Sequence, residues 1–157
     1  MKPLRVYADT SVISGCLDAE FEDDSMQFIE AVRSGKIVML VSEVVARELE
    51  NAPEEVCIII TSLPAGCVER VELTEEILEL RDAYLEAGIV GVRHANDAAH
   101  VAAATVARAD AIVSWNFRHI VRLDKMKLYN RINLLYGYGI LTIITPKEVQ
   151  TDDREEK

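Results

Sequence analysis

Apolar and polar positions alternate in blocks along the chain. Short apolar runs bounded by polar or glycine residues predict strands at 4–8, 37–41, 68–73, 110–116 and 140–144. Longer stretches have apolar residues at helical spacing. The stretches predicted as helices are 9–17, 25–33, 42–49, 53–62, 74–85, 94–104 and 118–135. This alternation predicts one α/β fold with a largely parallel sheet and helices on both faces.

The predicted strands differ in pattern. Residues 37–41 are all apolar, which is typical of a parallel strand buried on both faces, whereas 68–73 alternates apolar and charged residues like an edge strand. Cys57 to Ile60 would also suit a strand. We interpret it as helix, because Pro53 followed by two glutamates is a good helix start.

Composition and charge narrow the class of protein. The chain has 157 residues, and we expect one domain over 1–150 with a frayed acidic tail at 151–157. No apolar run is long enough to span a membrane, and no apolar signal segment follows Lys2, so we expect a cytoplasmic protein. The net charge of −10 argues against nucleic-acid binding through bulk charge, although bound divalent metal can reverse the charge of an acidic site.

Several chemistries lack their motifs. Cys16, Cys57 and Cys67 are widely spaced without a CxxC pair, so we interpret them as buried free thiols in a reducing compartment. The sequence also contains no GxGxxG, P-loop or GxSxG motif. Dinucleotide, nucleoside-triphosphate and serine-hydrolase sites therefore have little support.

Three acids occupy comparable positions in the predicted pattern. Asp9 ends the first strand, where Thr10 or Ser11 starts a helix, and the carboxyl edge of an open α/β sheet is where ligands bind. Glu48 and Asp97 each lie near or just inside a helix that follows a strand or loop. Each alone is well explained as a helix cap or surface charge. Gathered at one edge, they would need Mg²⁺ or Mn²⁺ to offset their repulsion.

Polar residues near the fourth predicted strand extend this hypothesis. Asn116 and Ser114 could hold a metal-bound water or a phosphate, and two divalent ions can orient a phosphodiester for attack by water. Trp115 could stack on a base, although packing is the commoner role. Arg118 and Arg122, in the basic stretch 118–131, are candidate phosphate contacts, although a solvated helix face is the commoner outcome.

The histidines suggest a weaker alternative. Asp97 and His100 lie three positions apart on one helix, which would suit a transition-metal pair. His94 and His119 lack ligand spacing, so no further ligand is predicted. We therefore expect His100 to be partly buried and to brace Asp97 or a backbone group.

The acidic segment 18–24 has two interpretations. A solvated loop that begins a helix would explain it, because carboxylates are favourable at a helix N-terminus. A docking surface for a basic partner is the alternative interpretation.

Four segments resemble those of PIN-domain proteins, of the kind found as the toxin in VapBC-type toxin–antitoxin pairs. The segments are Tyr7–Gly15, Val41–Leu49, Asn96–Ala104 and Ala109–Ile120, in that order over nearly the whole chain. The resemblance implies a Rossmann-like sheet and a metal-dependent ribonuclease that uses Mg²⁺ or Mn²⁺. It also implies RNA as substrate, a homodimer and an antitoxin partner.

The resemblance also implies roles for individual residues. The acids of the family map onto Asp9, Glu48 and Asp97, and Ser114 matches a hydroxyl position. Asn116 stands where the family often has another acid. Whether the site binds one metal ion or two is therefore left open. The supporting residues are Thr10, Ser11 and Ser114. A catalytically weak RNA- or protein-binding module and a phosphatase using the same edge remain the alternatives.

Overall fold

The fold is built on a five-stranded parallel sheet. The computed structural model describes residues 2–149. The strands are β1 (Leu4–Ala8), β2 (Ile37–Ser42), β3 (Val68–Val71), β4 (Ala111–Val113) and β5 (Thr142–Ile144). They lie in the order β3-β2-β1-β4-β5, and each neighbouring pair is parallel. The predicted strands are confirmed, with β3 at an edge, although β3, β4 and β5 are shorter than predicted.

Seven α-helices connect or follow these strands in the described part of the chain. They are α1 (Thr10–Ser14), α2 (Glu22–Arg33), α3 (Glu43–Glu48), α4 (Glu54–Thr61), α5 (Glu75–Glu86), α6 (Ala95–Val106) and α7 (Leu123–Leu135). The helix predicted over 53–62 is confirmed as α4. The helix predicted to start at 118 begins only at Leu123, because the preceding residues form a turn after β4.

The two faces of the sheet carry separate cores. In β1, Val6 and Ala8 pack on one face with α2, whereas Tyr7 packs on the other face with α5, α6 and α7. This alternation follows from the two-residue period of a strand. Covering both faces explains why β2 is apolar from Ile37 to Val41. The α/β/α arrangement predicted from the pattern is therefore confirmed.

Polar caps fix where two helices begin. The Ser42 side chain accepts a hydrogen bond from the Val44 backbone N–H at 3.2 Å, at the start of α3. Thr74 does the same for the Ile77 N–H at 3.2 Å, at the start of α5. These bonds satisfy amides that have no partner within the helix.

The chain reverses its direction across the sheet beside β1. It adds β2 and β3 on one side of β1, and then β4 and β5 on the other. A crevice therefore opens between the carboxyl ends of β1 and β4, which is the usual ligand position in open α/β sheets. Asp9 and Ser114 are the residues that directly follow these two strands.

Gly15 lets the end of α1 approach the residue that follows Ser114. A Cβ atom at position 15 would lie 2.6 Å from Ser25 Oγ and 3.0 Å from Trp115 Nε1. These two atoms are themselves joined by a 2.8 Å hydrogen bond from the indole. Glycine is therefore required here for close approach rather than for an unusual backbone angle.

Among residues 2–149, no helix has both the length and the apolar character needed to cross a membrane. The frayed tail predicted at 151–157 lies outside the described residues.

Candidate metal and nucleic-acid site at the sheet edge

Asp9 lies at the crevice between β1 and β4. Its carboxylate is only 3% exposed, and it accepts hydrogen bonds from Ser11 Oγ at 2.7 Å and Ser114 Oγ at 2.6 Å. Burial raises the pKa of Asp9, and the charge of His100 and the two hydroxyls offset this only partly. A buried carboxylate with a raised pKa is stabilised in its ionised form by a nearby cation.

Glu48 ends α3 on the β2 side of the same crevice. Its carboxylate accepts hydrogen bonds from the Thr10 hydroxyl and from His100 Nε2, the latter at 2.8 Å, and a longer contact of 3.4 Å from Asn96 Nδ2. Burial opposes ionisation of Glu48, but the hydrogen bond and charge of His100, together with Thr10 and Asn96, outweigh it and lower the pKa. Glu48 is therefore held as an anion in a fixed position.

A buried chain of hydrogen bonds supports His100 from behind. Tyr7 Oη lies 2.7 Å from His100 Nδ1 and 2.6 Å from Ser42 Oγ. The Tyr7 hydroxyl therefore links His100 to Ser42 in one continuous chain that ends at Glu48. All three side chains are at most 2% exposed, so the imidazole orientation is fixed by the core.

The prediction that His100 braces Asp97 or a backbone group is therefore wrong. His100 braces Glu48 rather than Asp97, and it is almost fully buried rather than partly buried. Sequence reasoning missed Tyr7 and Ser42 as parts of this arrangement. A tyrosine between Val6 and Ala8 in a strand predicted to lie in the sheet was the available signal, because a buried hydroxyl needs a partner.

Asp97 faces a different set of neighbours. It lies in the first turn of α6, and its Oδ2 is 3.8 Å from His94 Nδ1. His94, Asp97 and His119 each offer a ligand atom, and these atoms all lie within 4.8 Å of one another. The prediction that His94 and His119 lack ligand spacing is wrong, because the turn after β4 brings His119 back onto the start of α6.

The two imidazoles contact each other in this cluster. The ring centroids of His94 and His119 are 3.9 Å apart, with the planes inclined at 31°. Burial and then the charge of His94 lower the pKa of His119, against an opposing effect of Asp97. His119 Nδ1 is buried without a hydrogen-bond partner, alone among the side-chain nitrogen and oxygen atoms of the described residues.

The chain neighbours of Asp9 and Asp97 meet at Glu48. Glu48 contacts Thr10, which adjoins Asp9, and Asn96, which adjoins Asp97. The carboxylate oxygens of the three acids do not, however, all lie within 4.8 Å of one another, whereas the histidine cluster meets this limit. Metal binding by the three acids together requires side-chain movement, and it stays a prediction.

Ser114 and Asn116 have distinct roles after β4. Ser114 is fully buried and donates to Asp9, while its Oγ accepts the Asn116 backbone N–H at 2.8 Å. The Asn116 side-chain oxygen accepts backbone N–H groups of Arg118 at 3.2 Å and His119 at 2.9 Å. Asn116 thus holds the turn that carries His119, and its predicted catalytic role, holding a metal-bound water or a phosphate, stays a prediction.

The remaining predicted contacts surround this turn. Arg118 is exposed, and Arg122 forms an exposed ion pair with Asp124 at 2.9 Å, just before α7 rather than inside it. Trp115 is 9% exposed and stacks on Phe21 with ring centroids 4.4 Å apart. Trp115 therefore packs in the core, which favours the packing interpretation over base stacking.

The acidic segment agrees with the helix-start interpretation, and the docking surface stays a prediction. Glu22, Asp23 and Asp24 form the first turn of α2, where carboxylates complement the helix dipole. The three cysteines are free, as predicted; Cys16 is buried, whereas the prediction of burial is wrong for Cys57 and Cys67, which are half-buried.

Comparison with known proteins shows a likeness in fold to solved structures. No family model and no curated protein matches the chain. Among solved structures, it is similar to a chain in the crystal structure of VapBC2 from Rickettsia felis bound to a DNA fragment from their promoter. The TM-score is 0.57 at 14% identity, covering 89% of this chain and 97% of that chain.

At this identity the likeness shows the fold and not the activity. The parallel order of the five strands and the helices on both faces agree with it. The chain has a PIN-like, Rossmann-like α/β/α fold.

Proposed function

We propose that the chain is a metal-dependent endoribonuclease that hydrolyses RNA phosphodiester bonds. The observation that carries this proposal is Asp9, a buried carboxylate at the switch point of the sheet whose pKa is raised by burial. Its two hydrogen bonds come from neutral hydroxyls, so its negative charge is incompletely balanced. Strongly perturbed carboxylates in such crevices are typical of functional sites.

The surrounding donors fit Mg²⁺ or Mn²⁺. Asp9, Glu48 and Asp97 offer carboxylate oxygens, and Thr10 and Ser11 add partly exposed hydroxyls. Hard oxygen ligands are those that these two ions prefer. We propose that Asp9, Glu48 and Asp97 hold the ion after a modest rearrangement of their side chains.

The chain's own residues would position these ligands. Ser11 and Ser114 fix both oxygens of Asp9, and Thr10 and His100 fix one oxygen of Glu48. Their hydrogen bonds keep the carboxylates oriented before substrate arrives, which reduces the reorganisation needed in the reaction. The bound metal would supply stabilisation of negative charge on the phosphodiester.

The exposed turn after β4 supplies a candidate RNA contact. Arg118 lies beside His119 and is exposed, so its guanidinium is free to reach a phosphate. Arg122 would first have to leave Asp124. We propose Arg118 as the principal contact and Arg122 as a secondary one.

We further propose that the chain is a cytoplasmic toxin held by an antitoxin. The similarity in fold to a chain of the VapBC2 complex supports this role. The net charge of −10 favours a partner that offers basic side chains. A homodimer is also proposed, since several large apolar side chains at the end of α7 are exposed.

The nuclease proposal is tested by cleavage of single-stranded and structured RNA with Mn²⁺ or Mg²⁺. We expect cleavage by the natural chain and a loss of at least about 100-fold in Asp9→Asn and Asp97→Asn, because each removes a ligand charge. Asp82→Asn, an exposed acid on α5, is the matched control and should keep full activity.

Two results would contradict the nuclease proposal. RNA left intact under all metal conditions would favour the binding module, especially if calorimetry detects no Mg²⁺ or Mn²⁺ binding. Cleavage that survives both substitutions would place the activity elsewhere. Hydrolysis of a chromogenic phosphate ester without RNA cleavage would instead favour the phosphatase alternative.

A further inference from the structure

We propose that His94, Asp97 and His119 form a binding site for a transition-metal ion of the Zn²⁺ class. This site is distinct from the oxygen site proposed at Asp9 and Glu48, with which it shares only Asp97. Metal binding at the histidines does not depend on the nuclease activity proposed above.

The geometry needs only a small adjustment to close on one ion. Ligand atoms of the three side chains lie within 4.8 Å of one another, and His94 Nδ1 is 3.8 Å from Asp97 Oδ2. Ligands at about 2.0–2.1 Å from a tetrahedral Zn²⁺ are separated by roughly 3.4 Å. The observed spacing therefore exceeds the metal-bound spacing by an amount that side-chain rotation can supply.

An unsatisfied atom also points to a missing ligand. His119 Nδ1 is buried and has no hydrogen-bond partner among the described residues. A buried polar atom left unpaired costs about 1–3 kcal/mol, so native structures rarely retain one without a reason. Coordination to a metal ion would satisfy this nitrogen, which makes no hydrogen bond to the tilted His94 ring 3.9 Å away.

The backbone around His119 is held in place before any ion binds. Its N–H donates to Asn116 Oδ1 at 2.9 Å, and its carbonyl accepts the Tyr129 hydroxyl at 2.9 Å. Tyr129 is fully buried, so this second contact is anchored in the core. Asp97 is likewise fixed by the first turn of α6. A preorganised site loses less entropy on binding than a flexible one.

The donor set selects the class of ion. Imidazole nitrogens favour Zn²⁺, Co²⁺, Ni²⁺ or Cu²⁺, whereas Mg²⁺ prefers oxygen ligands. Two histidines and one aspartate also leave one position of a tetrahedral ion open to water. His94 and Asp97 have side-chain exposures of 39% and 20%, so an ion can enter from solvent.

Calorimetry with ZnCl₂ and visible spectroscopy with CoCl₂ on the full chain test this site. We expect about one Zn²⁺ per chain, and Co²⁺ absorption bands typical of a four-coordinate site with nitrogen ligands. His94→Ala and His119→Gln should each weaken Zn²⁺ binding by at least about tenfold and remove the Co²⁺ bands, because each removes a ligand.

Two control variants separate this site from other ligands in the chain. The double variant Cys57→Ser/Cys67→Ser removes the two half-buried thiols, and Asp9→Asn removes the buried acid of the crevice. Both should retain Zn²⁺ binding and the Co²⁺ bands. Loss of binding in either control while both histidine variants retain it would overturn the proposal.

The absence of Zn²⁺ binding by the natural chain would also overturn it. His94 is partly exposed, so His94→Ala should fold even if His119→Gln does not, and circular dichroism would check both. Unchanged Zn²⁺ affinity in folded His94→Ala would be incompatible with the site, whatever the result for RNA cleavage.

Discussion

Asp9 accepts hydrogen bonds from two hydroxyl groups while its carboxylate is almost fully buried. Burial raises its pKa because water can no longer stabilise the charge. Glu48, only half-buried and bonded to His100, has its pKa lowered instead. Two carboxylates beside one crevice thus have opposite pKa shifts, and Asp9 is the one that most needs a cation.

Because the charge of Asp9 is buried, we predict that its ionised carboxylate lowers the free energy of unfolding. Without added metal at pH 7, Asp9→Asn should be more stable than the natural chain by about 1–2 kcal/mol, because a buried charge is removed and the hydroxyls can still pair. Urea unfolding followed by circular dichroism measures this. Mn²⁺ should raise the melting temperature of the natural chain and not of the variant. A less stable variant would contradict the explanation.

At the scale of elements, α1 and α6 position the candidate site. Thr10, at the start of α1, reaches Glu48, while α6 directs His100 toward Glu48 and Asp97 toward His94. The first two turns of α6 therefore carry residues of both proposed metal sites. The far end of α1 is fixed where Gly15 approaches the hydrogen bond between Trp115 and Ser25.

Close packing at Gly15 predicts sensitivity to one added methyl group. Gly15→Ala should destabilise the chain by about 1–3 kcal/mol, because the new Cβ would lie 2.6 Å from Ser25 Oγ. Gly66→Ala is the matched control, since a Cβ there meets no atom within 4 Å. Equal denaturation midpoints for the two variants would show that α1 can shift to relieve the contact.

At the scale of the whole molecule, the helices on both faces leave some apolar surface uncovered. Leu134, Leu135 and Tyr136 at the end of α7, together with Ile140, are 56% to 73% exposed. Large apolar side chains grouped on a surface are typical of a partner interface. The proposed homodimer or antitoxin would cover them.

A charge placed on this surface should therefore disrupt assembly. Light scattering after size-exclusion chromatography should give a dimer for the natural chain and a monomer for Leu135→Lys, because an interface lysine would lose its hydration. Ile58→Lys, exposed on α4 across the sheet, is the control and should stay dimeric. A natural chain that is monomeric throughout the micromolar range would exclude the homodimer.

Local features were predictable where local physics decides them. Ser42 and Thr74 were identified as helix caps, and the segment after Pro53 as a helix, because capping and backbone preference act within a few residues. The start of α7 was placed five residues too early, at 118 instead of Leu123. A basic run with helical spacing does not reveal that Asn116 caps a turn there.

Hydrophobic period and capping are encoded locally, so the α/β class, the buried strands and the position of Asp9 at a strand end follow from the amino-acid order. The strand order, the pairing of His100 with Glu48 and the meeting of His94 with His119 become visible in the folded chain alone. These contacts join residues far apart in the chain, and they depend on how whole helices cross the sheet. No spacing within one segment records that crossing.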